Sequence, residues 1–284
     1  GGETLGTLLD RYAALSGELT VTKVDPDVQP TFVQQYTEGT IYNNSLVVEC
    51  GDRYRYISYN DIYVSESNMY SYSYSTSFDG EGAITSAIDY VVTEDLSQLY
   101  VLEGHGEAEL PSTFSDQLEK ENYELNTLSL LTVDEIPEEA DCILIYAPST
   151  DLSEEEVTML QDYVSNGGKL MVSAGTTENG SLPNLYSLLE NYGITAAEGI
   201  VVEGDREHYA FGMPYVLMPD IASSDITDSL TEENYYVLMP ISQGMTVGST
   251  TNGTVTSLLT TSDTAFSKVT GYSLETYEKE HGDI

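Results

Sequence analysis

Apolar residues change their period along this chain, and the changes predict its elements. Between residues 98 and 175, short apolar runs alternate with stretches at helical spacing. The runs 99–102 and 142–146 are almost continuously hydrophobic, which suits parallel strands covered on both faces. Runs 123–128 and 169–173 complete a predicted four-strand parallel sheet. Leu110, Phe114 and Leu118 mark one intervening helix, and Val157, Leu160 and Val164 mark another. The second helix opens with Ser153 and Glu156 in capping-box spacing, with Glu154 and Glu155 in the first turn where the helix dipole favours carboxylates. It closes at Gly167-Gly168. Beyond it the pattern predicts a helix over 184–192 and strands at 200–202 and 257–261. Two similar pieces, YVLMP at 215–219 and at 236–240, read as strands ending at prolines. Residues 215–270 are expected to complete or cap this unit, and 272–284 to form a polar tail.

Upstream, Leu5, Leu8, Leu9, Tyr12 and Leu15 share one helical face. Residues 19–24 (LTVTKV) alternate as a strand that Asp25-Pro26-Asp27 closes. A helix is expected over 30–37. Strands 45–49 and 54–58 flank Gly51-Asp52 as a hairpin. The segment 60–80 is tyrosine-rich, and its SYSYS run at 71–75 fits an edge strand or a disordered loop equally. A helix over 82–92 leads to the junction Thr93-Glu94-Asp95. The expected organisation is two α/β domains, 1–95 and 96–284.

Charge narrows the partners. The 284 residues carry 48 acidic and 9 basic side chains, a formal charge of −39. Nucleic acid and anionic membrane surfaces need clustered Lys and Arg, so neither is an expected partner. The 23 tyrosines argue for folded domains, because disordered acidic tracts are poor in aromatics. No stretch approaches the 18 apolar residues of a membrane span, and no signal peptide is visible. Cys50 and Cys142 are expected to be separate buried thiols.

The chemistry-bearing residues gather at the predicted carboxyl edge of the sheet, where α/β ligand sites form. That edge comprises 104–107, 147–151 and 173–177. Gly104, His105, Gly106 and Glu107 are the leading candidates for contact with a ligand or partner, with Ser173 and Thr176 opposite. Glu103 and Glu107 would raise the proton affinity of His105. The structural alternative is a tight turn whose histidine bonds locally. Ser173-Ala174-Gly175 occupies the expected strand-to-helix elbow and contains no thiol. His105, His208 and His281 show no triad spacing, there is no CxxC pair, and no GxxxxGK[ST] loop occurs. No metal or cofactor is expected, and the acidic residues read as a solvated face. Tyr54, Tyr56, Tyr72 and Tyr74 are candidate interface residues, since tyrosine gives a wide amphipathic contact.

Taken together, VTKVDPDVQPTFVQQY (21–36), SLVVECGDRYRYIS (45–58), EGAITSAIDYVVTE (81–94), YVLEGHGE (100–107) and the run from 136 to 172 resemble the gliding-motility GldG-type family. PNLYSLLENYGI (183–194), GIVVEG (199–204) and SLLTTSDTAF (257–266) fit it as well. Members are auxiliary components of ABC-type transport systems. The resemblance implies a thioredoxin-like first domain, here without its first strand. It implies a second domain like the class I glutamine-amidotransferase (flavodoxin-like) fold, shared with intraflagellar-transport and trehalose-utilisation relatives. It also implies an extracytoplasmic, membrane-anchored setting with membrane-embedded transporter subunits as partners. The expected function is a non-catalytic ectodomain that binds a partner or ligand. The alternatives are a hydrolase or amidotransferase-like enzyme at the 104–107/173–177 edge, and a carbohydrate or surface-adhesion module.

Overall fold

The computed structural model describes residues 2–68, 73–178, 180–270 and 273–284. They form two compact units, Gly1–Gln98 with Pro111–Leu125, and Leu99–Leu110 with Asn126–Ile284.

In the first unit, α1 (Gly2–Leu15) and α2 (Pro30–Gln34) precede the hairpin of β1 (Leu46–Cys50) and β2 (Arg53–Ile57). Cys50 pairs with Arg53 across a two-residue turn, and Gly51 supplies the positive φ that a type II′ turn requires at its first position. A capped turn, α3 (Tyr59–Ile62), leads into a second hairpin, β3 (Tyr63–Asn68) with β4 (Ser73–Phe78). The tyrosine-rich segment is therefore antiparallel ladder on both sides of 69–72, and Tyr70 and Tyr72 lie outside the described residues. Helix α4 (Gly80–Val92) lays Ala83, Ile84 and Ala87 on Leu5, Ile57 and Ile62 to make the core.

Two expectations are corrected in this unit. Residues 19–24 form no ladder; their alternation suits a strand, but no described strand lies beside them to take their backbone bonds. Cys50 is exposed, because it ends β1 at the hairpin, beyond the core; both cysteines are free. Helix α5 (Ser112–Lys120) also clusters here. Asn122, just past its end, takes a left-handed conformation (φ 63°) that suits a helix terminator. Its Oδ1 accepts from Arg55 at 2.8 Å and its Nδ2 donates to the Ser86 carbonyl at 3.0 Å.

A four-strand sheet, in the order β6-β5-β7-β8, comprises β5 (Ser97–Leu102), β6 (Tyr123–Leu128), β7 (Cys142–Tyr146) and β8 (Lys169–Ser173); all of it but Ser97–Gln98 and Tyr123–Leu125 belongs to the second unit. β5 runs parallel to β7 with Leu99 opposite Cys142, and β7 runs parallel to β8 with Cys142 opposite Lys169. The 142–146 run is thus an interior parallel strand, as its unbroken hydrophobicity required. Ile143, Leu144 and Ile145 are fully enclosed, each worth about 1.5–3 kcal/mol of burial. Helices α6 (Glu154–Ser165) and α7 (Pro183–Glu190) bring Val157, Leu160, Leu185 and Leu188 to the same core. In chain order the sheet reads second, first, third, fourth. The order therefore reverses between β5 and β7, the position at which open α/β sheets form their ligand crevice.

After α7 the chain makes small antiparallel ladders. They involve β9 (Ile194–Ala196), β10 (Ile200–Val202), β11 (Val216–Leu217), β12 (Asp220–Ile221), β13 (Met239–Pro240), β14 (Met245–Val247), β15 (Leu259–Thr260) and β16 (Phe266–Lys268), with a short helix α8 (Asp228–Glu232) among them. β9 pairs with β14, β10 with β16 and β12 with β15. The two YVLMP pieces pair with each other through β11 and β13, Val216 opposite Pro240 and Leu217 opposite Met239.

The expected polar tail is docked. Ser267 and Ile284 exchange backbone hydrogen bonds at 2.7 and 3.0 Å. Lys268 is 1 % exposed, and its Nζ lies 3.2 Å from both Asp283 Oδ2 and Glu280 Oε2 and 2.8 Å from the Glu278 carbonyl. Burial pulls the ammonium's pKa down, but Asp283 and Glu280 more than offset it and leave it raised. A buried cation at the end of a strand recruits the acidic terminus, which a reading by hydropathy leaves in solvent.

Candidate functional site

β5 ends in Glu103-Gly104-His105-Gly106-Glu107. Gly104 (φ 116°) and Gly106 (φ 66°) lie in the left-handed region, and a Cβ at Gly106 would overlap the Ser149 hydroxyl. This curl folds Glu107 back on its neighbour. The His105 backbone N–H donates to Glu107 Oε2 at 2.8 Å, and its ring Nδ1 lies 3.2 Å from Oε1.

The other ring nitrogen meets α6. Ser153 caps that helix in a closed capping box: the Glu156 N–H donates to the Ser153 hydroxyl at 3.2 Å, and the Ser153 N–H to Glu156 Oε2 at 2.8 Å. The box holds the Glu156 carboxylate inward, where His105 Nε2 lies 3.1 Å from Oε2 and 3.0 Å from Oε1. The directional hydrogen bond goes to Oε2, while Oε1 sits off the ring N–H axis. All three side chains are at most 8 % exposed. Each ring nitrogen of His105 thus has a carboxylate oxygen within hydrogen-bonding distance.

The same residue closes the reversal point of the sheet. The His105 carbonyl accepts from the Ser149 and Thr150 N–H groups at 3.0 and 2.9 Å and from their hydroxyls at 3.3 and 3.0 Å. The loops after β5 and β7 are stitched together where an enzyme of this topology keeps a crevice.

The sequence-predicted residues therefore separate by accessibility. Gly104, Gly106 and Ser173 are exposed at the rim, Thr176 is half-buried, and the Glu107 side chain is turned inward. The His105 side chain is enclosed, with both nitrogens directed to carboxylates rather than to Ser173 or Thr176. The elbow expected at 173–175 is corrected. The non-glycine residue in the left-handed region at this edge is Ala147 (φ 47°), directly after β7, with its N–H on the Ser173 carbonyl at 2.6 Å. Its methyl group offers no nucleophile. Cys142 sits at the opposite end of β7, and burial pushes its thiol pKa up.

Of the candidate interface tyrosines, Tyr74 is 86 % exposed, and Tyr54 packs edge-on against Tyr36 at 5.0 Å. Tyr56 donates to Ser45 Oγ at 3.1 Å, and Tyr72 lies outside the described residues.

Two further polar clusters, one buried and one at the surface, had no signal in spacing. Glu203, after β10, accepts from the Asp205 and Ser262 N–H groups, each at 3.1 Å, and from the Ser262 hydroxyl. His208 lies between Asp220 and Asp205, at 3.3 and 3.2 Å. The Asp220 hydrogen bond is the main cause of its raised pKa. Among the described residues no group of three or more His, Cys, Asp and Glu side chains is arranged to hold a metal ion. No helix among them is long and apolar enough to cross a membrane.

Glu156 gives the cluster a pH dependence. Burial pushes its carboxyl pKa up, but the Ser153 backbone N–H, the His105 ring and the Ser153 hydroxyl outweigh that and leave it lowered. A lowered folded-state pKa contributes stability that is complete above the ordinary carboxylate range, about 4. That contribution is lost as pH falls through the lower folded value. Thermal melts of wild type and Glu156→Gln at pH 7 and pH 3 should show a large difference at the former that shrinks at the latter. A constant difference would mean that the carboxylate's charge is not what stabilises the turn.

Comparison with known proteins supplies the family. Residues 97–280 match the family described as an ABC-type uncharacterized transport system. The chain belongs to that family, the auxiliary components of ABC-type transport systems. Among solved structures, the mmIFT52 N-terminal domain aligns with a TM-score of 0.46 and 18% identity, covering 60% of this chain and 75% of that one. No curated protein matches the chain.

Proposed function

We propose that this chain is a non-catalytic, extracytoplasmic, partner-binding part of an ABC-type transport system of the GldG type. Its first unit is thioredoxin-like and its second flavodoxin-like, related to class I glutamine amidotransferases. The strand order of the second unit, reversing between β5 and β7, supports that assignment. One observation carries the functional reading. The histidine at the reversal point is engaged by Glu107 and Glu156 on both ring nitrogens, and the left-handed residue directly after β7 is an alanine. A general base needs a free nitrogen facing a nucleophile. This histidine instead rigidifies a rim from which Glu103, Gly104, Gly106 and Ser173 face outward. The docking partner is a membrane-embedded transporter subunit.

The test is co-purification of the tagged protein with its transporter from detergent-solubilised membranes. Glu103→Arg with Ser173→Arg changes exposed side chains only, so the melting temperature should hold while recovered transporter subunits fall at least tenfold. Undiminished recovery would remove the rim from the interface. Hydrolytic turnover abolished by Glu156→Gln in a folded protein would favour the enzyme reading.

A further inference from the structure

Among the described residues, β4 pairs with β3 and with no other strand. Which of its backbone groups β3 uses follows from one bond at the base of the hairpin. The Asp79 N–H donates to the Ile62 carbonyl at 2.8 Å, which makes residues 62 and 79 a hydrogen-bonded pair. Such pairs alternate along an antiparallel ladder, so Ser77 and Ser75 bond to β3. Tyr74, Thr76 and Phe78 direct their N–H and C=O groups the other way, to the outer edge of β4. Every residue of β4 is exposed, Tyr74 to 86 %.

Folded proteins guard an outer edge with charge, proline or a bulge. β4 (SYSTSF) has no charge and no proline, and its register with β3 runs without a bulge from Ser73 to Phe78. The neutral run is longer than the strand: no residue from Ser67 to Phe78 is charged, in a chain of which 20% is.

That neutrality bears on what can pair there. Copies of a chain carrying −39 repel one another, and this edge lets two backbones meet without opposed carboxylates. Its pattern is also its own complement. Antiparallel pairing of two copies about a two-fold axis at Thr76 sets Thr76 opposite Thr76 of the second copy. Tyr74 then lies opposite Phe78 of the second copy, and Asp79 opposite its Ser73. Threonine pairs and aromatic pairs across strands are both favourable.

We propose that the outer edge of β4 joins two copies of this chain in one antiparallel sheet, β3-β4-β4-β3, centred on Thr76. The contact uses the same residues from each copy and closes at two. A six-residue edge is about 20 Å long and buries less than the roughly 1,200 Å² of a standard interface, so the dimer is weak and reversible.

Sedimentation equilibrium of the full chain tests this. The dissociation constant should lie below about 1 mM. It should tighten at least tenfold between about 0.01 and about 0.1 M salt, as the Debye length falls from about 30 to about 10 Å. Thr76→Glu sets two like charges opposite each other and should weaken the dimer at least tenfold at an unchanged melting temperature. Thr76→Val, still a strand former, should retain it. Cross-linking in a Cys50→Ala background reads the register. Thr76→Cys brings two α-carbons about 5.5 Å apart, within disulfide reach. Ser73→Cys leaves them about 20 Å apart. Oxidation should cross-link the first at least tenfold faster.

A monomer at about 1 mM protein in the higher salt would overturn the proposal, as would a dimer that Thr76→Glu leaves intact. Equal cross-linking through Ser73→Cys would overturn the register. A Thr76 amide protected from hydrogen exchange in the dilute monomer would show the edge already covered, and would overturn the proposal too.

Discussion

His105→Ala is expected to destabilise the second unit by about 3–5 kcal/mol, because two buried carboxylates each lose a hydrogen-bond partner at about 1–3 kcal/mol apiece. The substitution leaves the Glu107 and Glu156 carboxylates facing each other, nearly solvent-free, across the space of an absent imidazole. At about 2–4 °C per kcal/mol for a domain of this size, the melting temperature should fall by roughly 10 °C. The origin of the loss is separable. If stranded charge is the cause, adding Glu107→Gln and Glu156→Gln to His105→Ala should recover a large part of it, a non-additive result that a double-mutant cycle reads directly. A melting temperature within a degree of wild type for His105→Ala would show that the cluster does not hold the turn. Loss of activity in that single variant would accordingly say nothing about catalysis, because the fold fails first.

The second large effect is at Gly199. It has φ 92° and leads into β10, where Ile200 pairs with Lys268. A Cβ there would overlap the carbonyl of Lys268 and crowd the Val269 Cα. Those are backbone atoms in a paired strand, which cannot rotate aside as a side chain would. Left-handed placement of a Cβ costs about 1–2 kcal/mol and overpacking about 1–3 kcal/mol more. Gly199→Ala should thus lose about 2–5 kcal/mol in chemical denaturation followed by circular dichroism. Gly175→Ala is the control: its Cβ meets nothing within 4 Å and its φ is not positive. A midpoint for Gly199→Ala equal to the control's would mean that β10 and β16 are free to separate.

These features differ in how far a sequence can show them. The interior strand Cys142–Tyr146 was legible because burial on both faces demands an unbroken apolar run. The box of Ser153 and Glu156 and the turn at Gly51 were legible because their chemistry is local. Residues 19–24 misled for the converse reason: alternation reports an amphipathic strand but not whether another strand lies alongside. At the sheet edge, spacing identified His105 and Glu107 but not Glu156, which reaches the ring from 51 positions away, having been read as a cap. Lys268 and Glu203 are not legible as buried groups because hydropathy assigns charge to solvent. Their partners are recruited by the fold. The end of the strand at 169–173 places an elbow candidate at Ser173-Ala174-Gly175, whereas the non-glycine left-handed backbone belongs to Ala147.

The docked terminus has a mechanical meaning. Ile284 is joined by two backbone bonds to Ser267, and Asp283 is joined to the Lys268 ammonium. Force applied at residue 284 is thus delivered at once to β16 and, through it, to β10. A flexible end would absorb displacement over a dozen residues before anything else moved; this one passes it on. A load applied there pulls on a fixed point of the second unit, and the ladder should part abruptly rather than unravel.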